Sequence, residues 1–586
     1  MPLNHRKMGK VFFIIAILVI ATGCLDEKRQ AEMIFQHYLD LKTGAIQNFS
    51  KESSLALWNA TVSGKESDYK KLIDIELDFN KSNRTNPGTF SPDNFTPITR
   101  NVFTNEEDFE LLKKLKQSGL ITDTVLSRQL IYLYHSFTGS QIESDKYKKL
   151  LESGVKLSHS SSSLKYEMNG KLYSLVQIDS LKKRTSDGQN LEKISNAHRL
   201  GARKIAPDII QLVKDRNEVA RVLGYIDYYH VQFESKDESP EKVKSLIDEI
   251  ELKTRDRFLD AKRVIDKKLA KQYGVKVEEL RPWHYKDEKM SYLSGRFTAI
   301  LDSLLKTVEP VKQTAAFMDG IGLNIQPIID KSELNNGNMT AMINIDFRND
   351  IRLIGLITNS FDGLTKMLHL AGHAVHYSNV SEDLPYLLQG PSLIITEGVA
   401  RYFENLAYDQ NWLNDELGFD QKTKDEVGLI LQHFREVDQL FRIRKQMVVA
   451  EFEREIYSNP EQDLDHLWQE LNLKYLDIRY PDEKGACFWA TNKYFMNLSC
   501  YVQNYILADI VAAQLKHAID VKVLHEETPT IKGNKLVGEY LKANLFSYGD
   551  LYPWEKLIEK STGEPLNSQY FVNELIGDDE MTKHQQ

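Results

Sequence analysis

The chain has 586 residues, 75 basic and 84 acidic side chains and a net charge of −9, with no basic cluster to track a phosphate backbone. That balance excludes nucleic acid as a partner. Hydrophobic residues make up 41% and aromatic residues 10%, enough for a large core, and three cysteines are too few for a disulfide-built fold.

Arg6, Lys7 and Lys10 precede an unbroken apolar run from Val11 to Ala21, too short to remain as a spanning helix. Thr22, Gly23 and Cys24 follow. The order reads as a secretory signal peptide over residues 1–23, and it is similar to the lipobox of bacterial lipoproteins. This resemblance implies cleavage before Cys24, acylation of its thiol, and a mature chain of residues 24–586 lipid-anchored to a membrane of the cell envelope, outside the cytoplasm.

Apolar residues at three- and four-residue spacing predict helices over 31–46, 191–223, 240–273, 424–456 and 486–518. Asn169-Gly170 between 165–168 and 171–174 predicts a tight hairpin. A second hairpin is expected where 342–347 and 351–357 flank Arg348-Asn349-Asp350. The fold class is therefore mainly α, with a small β element just before the chemistry and no legible internal boundary. Cys487 and Cys500 fall thirteen apart in the last of these helices, about 20 Å between Cα atoms, too far for a disulfide.

Residues 361–378 read FDGLTKMLHLAGHAVHYS. His369 and His373 stand one helical turn apart, so both imidazoles leave one face and can share a metal. Alone, such a pair is a weak signal. A second helix, predicted over 391–407 and opened by Pro391, carries Glu397. Two imidazoles from one helix and a carboxylate from the next make a three-ligand site with an open fourth position, as catalytic zinc is held. His376, three residues on, reads as a histidine behind the ligands or at the surface. Arg401 either pairs with Glu397 or faces solvent.

With these residues in view, the chain resembles the angiotensin-converting-enzyme family of zinc peptidases, especially its bacterial members, and more distantly the thimet-oligopeptidase family of helical gluzincins. The resemblance is carried by Arg216 to Tyr225, Leu280 to Tyr285, Asp350-Ile351-Arg352, Met367 to Val375, Leu384 to Leu388, Thr396-Glu397-Gly398, Tyr501 to Leu507 and Ala513-Gln514-Leu515, in family order from about 160 to 520. It implies a helical ellipsoid with a deep central channel and zinc at its floor.

The family motif is His-Glu-x-x-His, and here Leu370 stands in the glutamate's place. That glutamate takes a proton from zinc-bound water and passes it to the leaving amine; leucine does neither. The family also implies a histidine and tyrosines on the tetrahedral oxyanion, yet no histidine lies between His466 and His517. Family register puts Thr491 or Asn492 near that place, with Tyr501 as oxyanion candidate and Tyr494 as its rival. These losses predict a zinc-bound, peptide-binding metallopeptidase homologue impaired in catalysis, with peptides pairing along the strand at 342–347. The alternatives are an active zinc peptidase with an unorthodox base, and a structural lipoprotein with a vestigial cleft.

Overall fold

The computed structural model describes residues 27–80, 105–141, parts of 146–161, then 164–285, 294–337, 339–481, 485–496, 499–525 and 530–576. The segment over 1–23 expected to be a signal peptide, and Cys24, lie outside the described residues. The protein is mainly helical, with two small antiparallel hairpins as the sheets of the described residues.

Helices α1 (Glu27–Ser63), α2 (Glu66–Asn80), α3 (Glu106–Ser118) and α4 (Thr124–Ser140) open the chain. Phe35 and Leu39 of α1 form a core with Leu112 of α3 and with Leu133 and Phe137 of α4. The cap residues set the limits of α3. The Asn105 side chain accepts from the Asp108 amide at its start, and Gly119 ends it at φ 64°.

The first hairpin pairs β1 (Tyr166–Met168) with β2 (Lys171–Tyr173). Asn169 and Gly170 take φ of 52° and 72°, the double positive φ that an Asn-Gly hairpin turn requires. Then come α5 (Leu175–Arg184), α6 (Gly188–Val222), α7 (Tyr228–Glu234) and α8 (Pro240–Tyr273). Ser239 caps α8, Pro240 fills its first turn, and Gly274 ends it at φ 65°.

After α9 (Ser294–Leu305), α10 (Pro310–Gly320) and α11 (Gln326–Ile329), the second hairpin joins β3 (Ala341–Asp346) to β4 (Asp350–Ile354). Asn344 faces Ile351 and Asp346 faces Asp350, so one extra residue bulges at Ile345. Ile343 and Ile345 pack on Trp58 of α1. The chain then enters α12 (Phe361–Ser378) and α13 (Leu393–Leu406), followed by α14 (Gln410–Leu417) and α15 (Gln421–His433). A π-helical stretch, Phe434–Asp438, leads directly into α16 (Gln439–Ser458). Helices α17 (Leu464–Leu476), α18 (Val502–Lys522), α19 (Lys535–Asn544), α20 (Trp554–Thr562) and α21 (Gln569–Ile576) complete the fold. One core runs through α6, α8, α12, α13, α16 and α18.

The long helix expected over 486–518 is corrected: α18 begins only at Val502. Cys487 and Cys500 both sit at φ 52°, left-handed values that a helix cannot contain. Tertiary hydrogen bonds hold Cys500 there. Its amide donates to Glu453 Oε1 at 2.8 Å, and its carbonyl accepts from Lys236 and Gln503, each at 2.6 Å. Both cysteines are free thiols.

Candidate metal centre

Ser360 caps α12 by accepting from the Gly363 amide at 3.0 Å, and Asp302 accepts from the Phe361 amide at 2.8 Å. Two orphan donors of the first turn are thus satisfied, and α12 runs through the core with nearly every face covered. It meets α13 at a close approach. A Cβ on Gly372 would lie 2.5 Å from Ala400 Cα, and one on Gly398 would lie 2.4 Å from Val511 Cγ1 of α18. Gly372 lets α12 and α13 pack backbone against backbone, and Gly398 lets the Val511 side chain of α18 seat on α13, which together set the distance between His369, His373 and Glu397.

The Nε2 atoms of His369 and His373 are 3.2 Å apart. Glu397 Oε2 lies 3.7 Å from the first and 3.8 Å from the second. The far side of each ring is tied down: His369 Nδ1 meets Glu404 Oε2 at 2.9 Å, and His373 Nδ1 meets the Thr396 hydroxyl at 2.9 Å. Burial beside Arg401 governs Glu404: desolvation alone would raise its carboxyl, but Arg401 and the His369 hydrogen bond bring it down to about 2. An ionised carboxylate only accepts, so His369 donates from Nδ1. Burial, with His369 beside it, pushes His373 down to about 4, so this ring is neutral near neutral pH. The two Nε2 atoms and the Glu397 carboxylate converge on one point, as ligands of a cation do. Among the described residues, His369, His373 and Glu397 form the group whose donor atoms, all within 4.8 Å, can hold a metal ion.

Leu370 is 1% exposed and belongs to the apolar core. It brings no group that moves a proton. Tyr501, from the segment just before α18, donates its hydroxyl to Glu397 Oε1 at 2.7 Å. Burial and the adjacent Glu397 carboxylate raise its pKa, so it stays protonated. Tyr494 stands further out, its ring 6.4 Å from Tyr505, which is 5.2 Å from Tyr501. The structure brings Tyr501 to the ligands and leaves Tyr494 two rings away. Asn492 accepts from the Tyr494 amide at 3.1 Å, and the side chain of Thr491 lies outside the description.

Two of the sequence expectations are corrected. Arg401 neither pairs with Glu397 nor faces solvent. It donates to Glu404 Oε1 at 2.7 Å and lies 3.1 Å from Asp509, because the turn of α13 that carries it points toward α18. His376 is neither behind the ligands nor at the surface. It is fully buried, 5.0 Å from the Phe546 ring, and neither nitrogen makes a hydrogen bond. Burial pushes it down to about 3. Sequence reasoning missed Glu404, Thr396 and Asp509. Glu404 carried a signal, since it lies two helical turns beyond Glu397 and so on the same face.

The stretch from α16 to α21 packs around this centre and contributes Tyr501 to it. Residues 443–577 match the family of carboxypeptidase Taq (M32) metallopeptidases. The protein is metallopeptidase-like. This match overturns the resemblance to the angiotensin-converting-enzyme and thimet-oligopeptidase families, from which the carboxypeptidase Taq family is distinct. Two histidines on one helix and a glutamate on the next recur across helical metallopeptidases, so the metal motif does not separate one family from another. The matched residues include Tyr501, while His369, His373 and Glu397 precede them. No curated protein matches the chain.

Proposed function

We propose that this protein is a lipid-anchored, zinc-binding metallopeptidase homologue that holds peptides and is impaired in hydrolysing them. The observation that carries this reading is a set of metal donors held in place around a leucine. His369, His373 and Glu397 suit zinc by donor type and number, with a fourth position left for water or a ligand. Zinc bound there would polarise a carbonyl and acidify a water. In a His-Glu-x-x-His helix the glutamate is the general base, and at that position this chain offers only the side chain of Leu370. Loss of one such group costs roughly 10²–10⁴-fold in rate. Tyr501 holds Glu397 in place and keeps its own proton, so it does not substitute for the base. The Glu404 and Thr396 hydrogen bonds favour a working metal cage over a vestigial one, because they orient both imidazoles toward Glu397.

For the peptide, β3 offers an edge. It pairs only with β4 among the described strands, and Asn344 on it keeps a side-chain oxygen without a hydrogen bond. An extended peptide would add there as a further strand. Attachment is assigned to Cys24 on the order of the apolar run and Thr22-Gly23-Cys24; no helix of the described residues is long and apolar enough to cross a membrane.

The deciding experiment presents a quenched-fluorescent peptide library to the purified protein and reads binding and cleavage together. Binding without chelator-sensitive turnover is expected. Robust chelator-sensitive turnover would establish an active peptidase instead, and absence of both would reduce the protein to a structural lipoprotein. Cys24→Ser should move the protein from the detergent phase to the aqueous phase or leave it unprocessed.

A further inference from the structure

A cavity of about 980 Å³ opens between α3, α4, the turn from α7 to α8, and residues 551–553. Its wall carries four carboxylates, Glu234, Asp237, Glu238 and Glu241, against two permanent cations, Lys116 and Arg128. Both cations are engaged. Arg128 clamps Asp237 with one nitrogen, donates to Asp550 Oδ1 at 2.7 Å with another, and gives its Nε to the Asp550 carbonyl at 2.7 Å. Lys116 lies 3.8 Å over the Tyr134 ring and 3.6 Å from Glu234. The cavity is therefore short of positive charge.

Glu238 concentrates that shortage. It is 8% exposed, and both of its carboxylate oxygens are buried without a hydrogen-bond partner. Lys236 and Gln503 stand beside it, but the hydrogen bonds they make at 2.6 Å go to the Cys500 carbonyl. Burial pushes the Glu238 carboxyl up to about 7, although Lys236 and Gln503 pull the other way. A buried carboxylate without a hydrogen bond is costly, and Glu238 lines the cavity, so a cation entering it supplies a donor. The wall is linked to the segment that carries Tyr501, since Lys236, two residues before Glu238, donates to the carbonyl of Cys500.

We propose that this cavity is a cation subsite in which Glu238 receives an ammonium or guanidinium group. Its assignment to a group on a bound peptide rests on the function proposed above. Asp237 and Asp550, held by Arg128, keep the surroundings negative without competing for the ligand. Two sources carry this chemistry: the amino terminus of a peptide and a lysine or arginine side chain.

The test titrates benzylguanidinium and its neutral analogue benzylurea into the full chain at pH 8 by calorimetry. Benzylguanidinium should bind at least about tenfold more tightly, the scale of one charge-assisted hydrogen bond. Glu238→Gln should abolish the preference, while Glu241→Gln, on the exposed rim, should keep it. Equal affinity of the two probes for the wild type, or a preference that survives Glu238→Gln, would overturn the subsite. If Glu238→Gln fails to fold, as a melting curve would show, the two-probe comparison on the wild type still decides. Peptides with free or acetylated amino termini, and with lysine or norleucine inside, then identify the source. If Glu238-dependent guanidinium binding occurs and no peptide binds, the subsite stands and peptide binding falls.

Discussion

Tyr501 donates its hydroxyl to Glu397 Oε1 at 2.7 Å, joining the family-matched C-terminal region to a candidate metal ligand that lies outside it. The bond occupies one carboxylate oxygen and leaves Oε2 toward the two imidazoles. Tyr501→Phe removes a hydrogen bond to a charged group, worth about 1.5–3 kcal/mol. Metal affinity should fall by roughly ten- to a hundredfold, read by competition with a chromogenic chelator. Unchanged affinity would mean that Glu397 is positioned by its helix alone.

The His369–Glu404–Arg401 chain should matter nearly as much as the ligands. Purified wild type is expected to carry one zinc per chain, measured by plasma mass spectrometry. Glu404→Gln exchanges an acceptor with a pKa of about 2 for a neutral amide and leaves Arg401 with Asp509. The expected cost is 10–100-fold in metal affinity, with a chelator removing metal from the variant first.

Leu370→Glu tests whether a carboxylate at this position supplies turnover. The wild type should hydrolyse peptides no faster than a His373→Ala control. The variant should gain zinc-dependent turnover, short of the 10²–10⁴-fold that a tuned base supplies. Leu370 is 1% exposed among apolar neighbours, so the new carboxyl will titrate high and the melting temperature should drop. Turnover should accordingly rise with pH.

His376 gives stability a pH dependence of known sign. Its folded value is about 3 against an ordinary 6.5. Between those values the unfolded chain holds a proton that the folded chain lacks, so stability falls as pH drops through this window. The loss from this residue is about 2 kcal/mol at pH 5. His376→Leu should remove that loss and, by deleting two buried polar atoms without partners, stabilise the protein at neutral pH. Denaturant melts at pH 7.5 and pH 5 measure both. A variant that keeps the full acid sensitivity would place its origin elsewhere, with His373, whose shift has the same sign, as the first alternative.

The parts of this architecture that depend on short-range chemistry could be read from sequence. Asn169-Gly170 dictates its turn by backbone sterics, and a four-residue spacing puts His369 and His373 on one face whatever surrounds them. Glu397 followed because a third ligand had to come from a neighbouring helix. What escaped was decided by contacts across the fold. No glycine or proline warns that the chain breaks at Cys500, since Glu453, Lys236 and Gln503 impose the break from three other segments. Arg401 had two reasonable partners in sequence terms, and only the approach of α18 selected Asp509. The family resemblance was misread although it rested on segments from Arg216 to Leu515, because short stretches around a coordination motif recur without a shared ancestry.

The glycine contacts make positions 370 and 372 unequal under mutation. Any side chain at 372 would wedge α12 away from Ala400 and scatter the donors, whereas exchanging glutamate for leucine at 370 leaves the helix spacing intact. Loss of the glutamate in favour of leucine at the first position is therefore tolerated by folding and by metal retention, and drift at the second is lethal to both. A lineage of such proteins can shed its chemistry in one step and still keep its cage for as long as the core holds, so an ion at this site would testify to how the helices pack and say nothing of turnover.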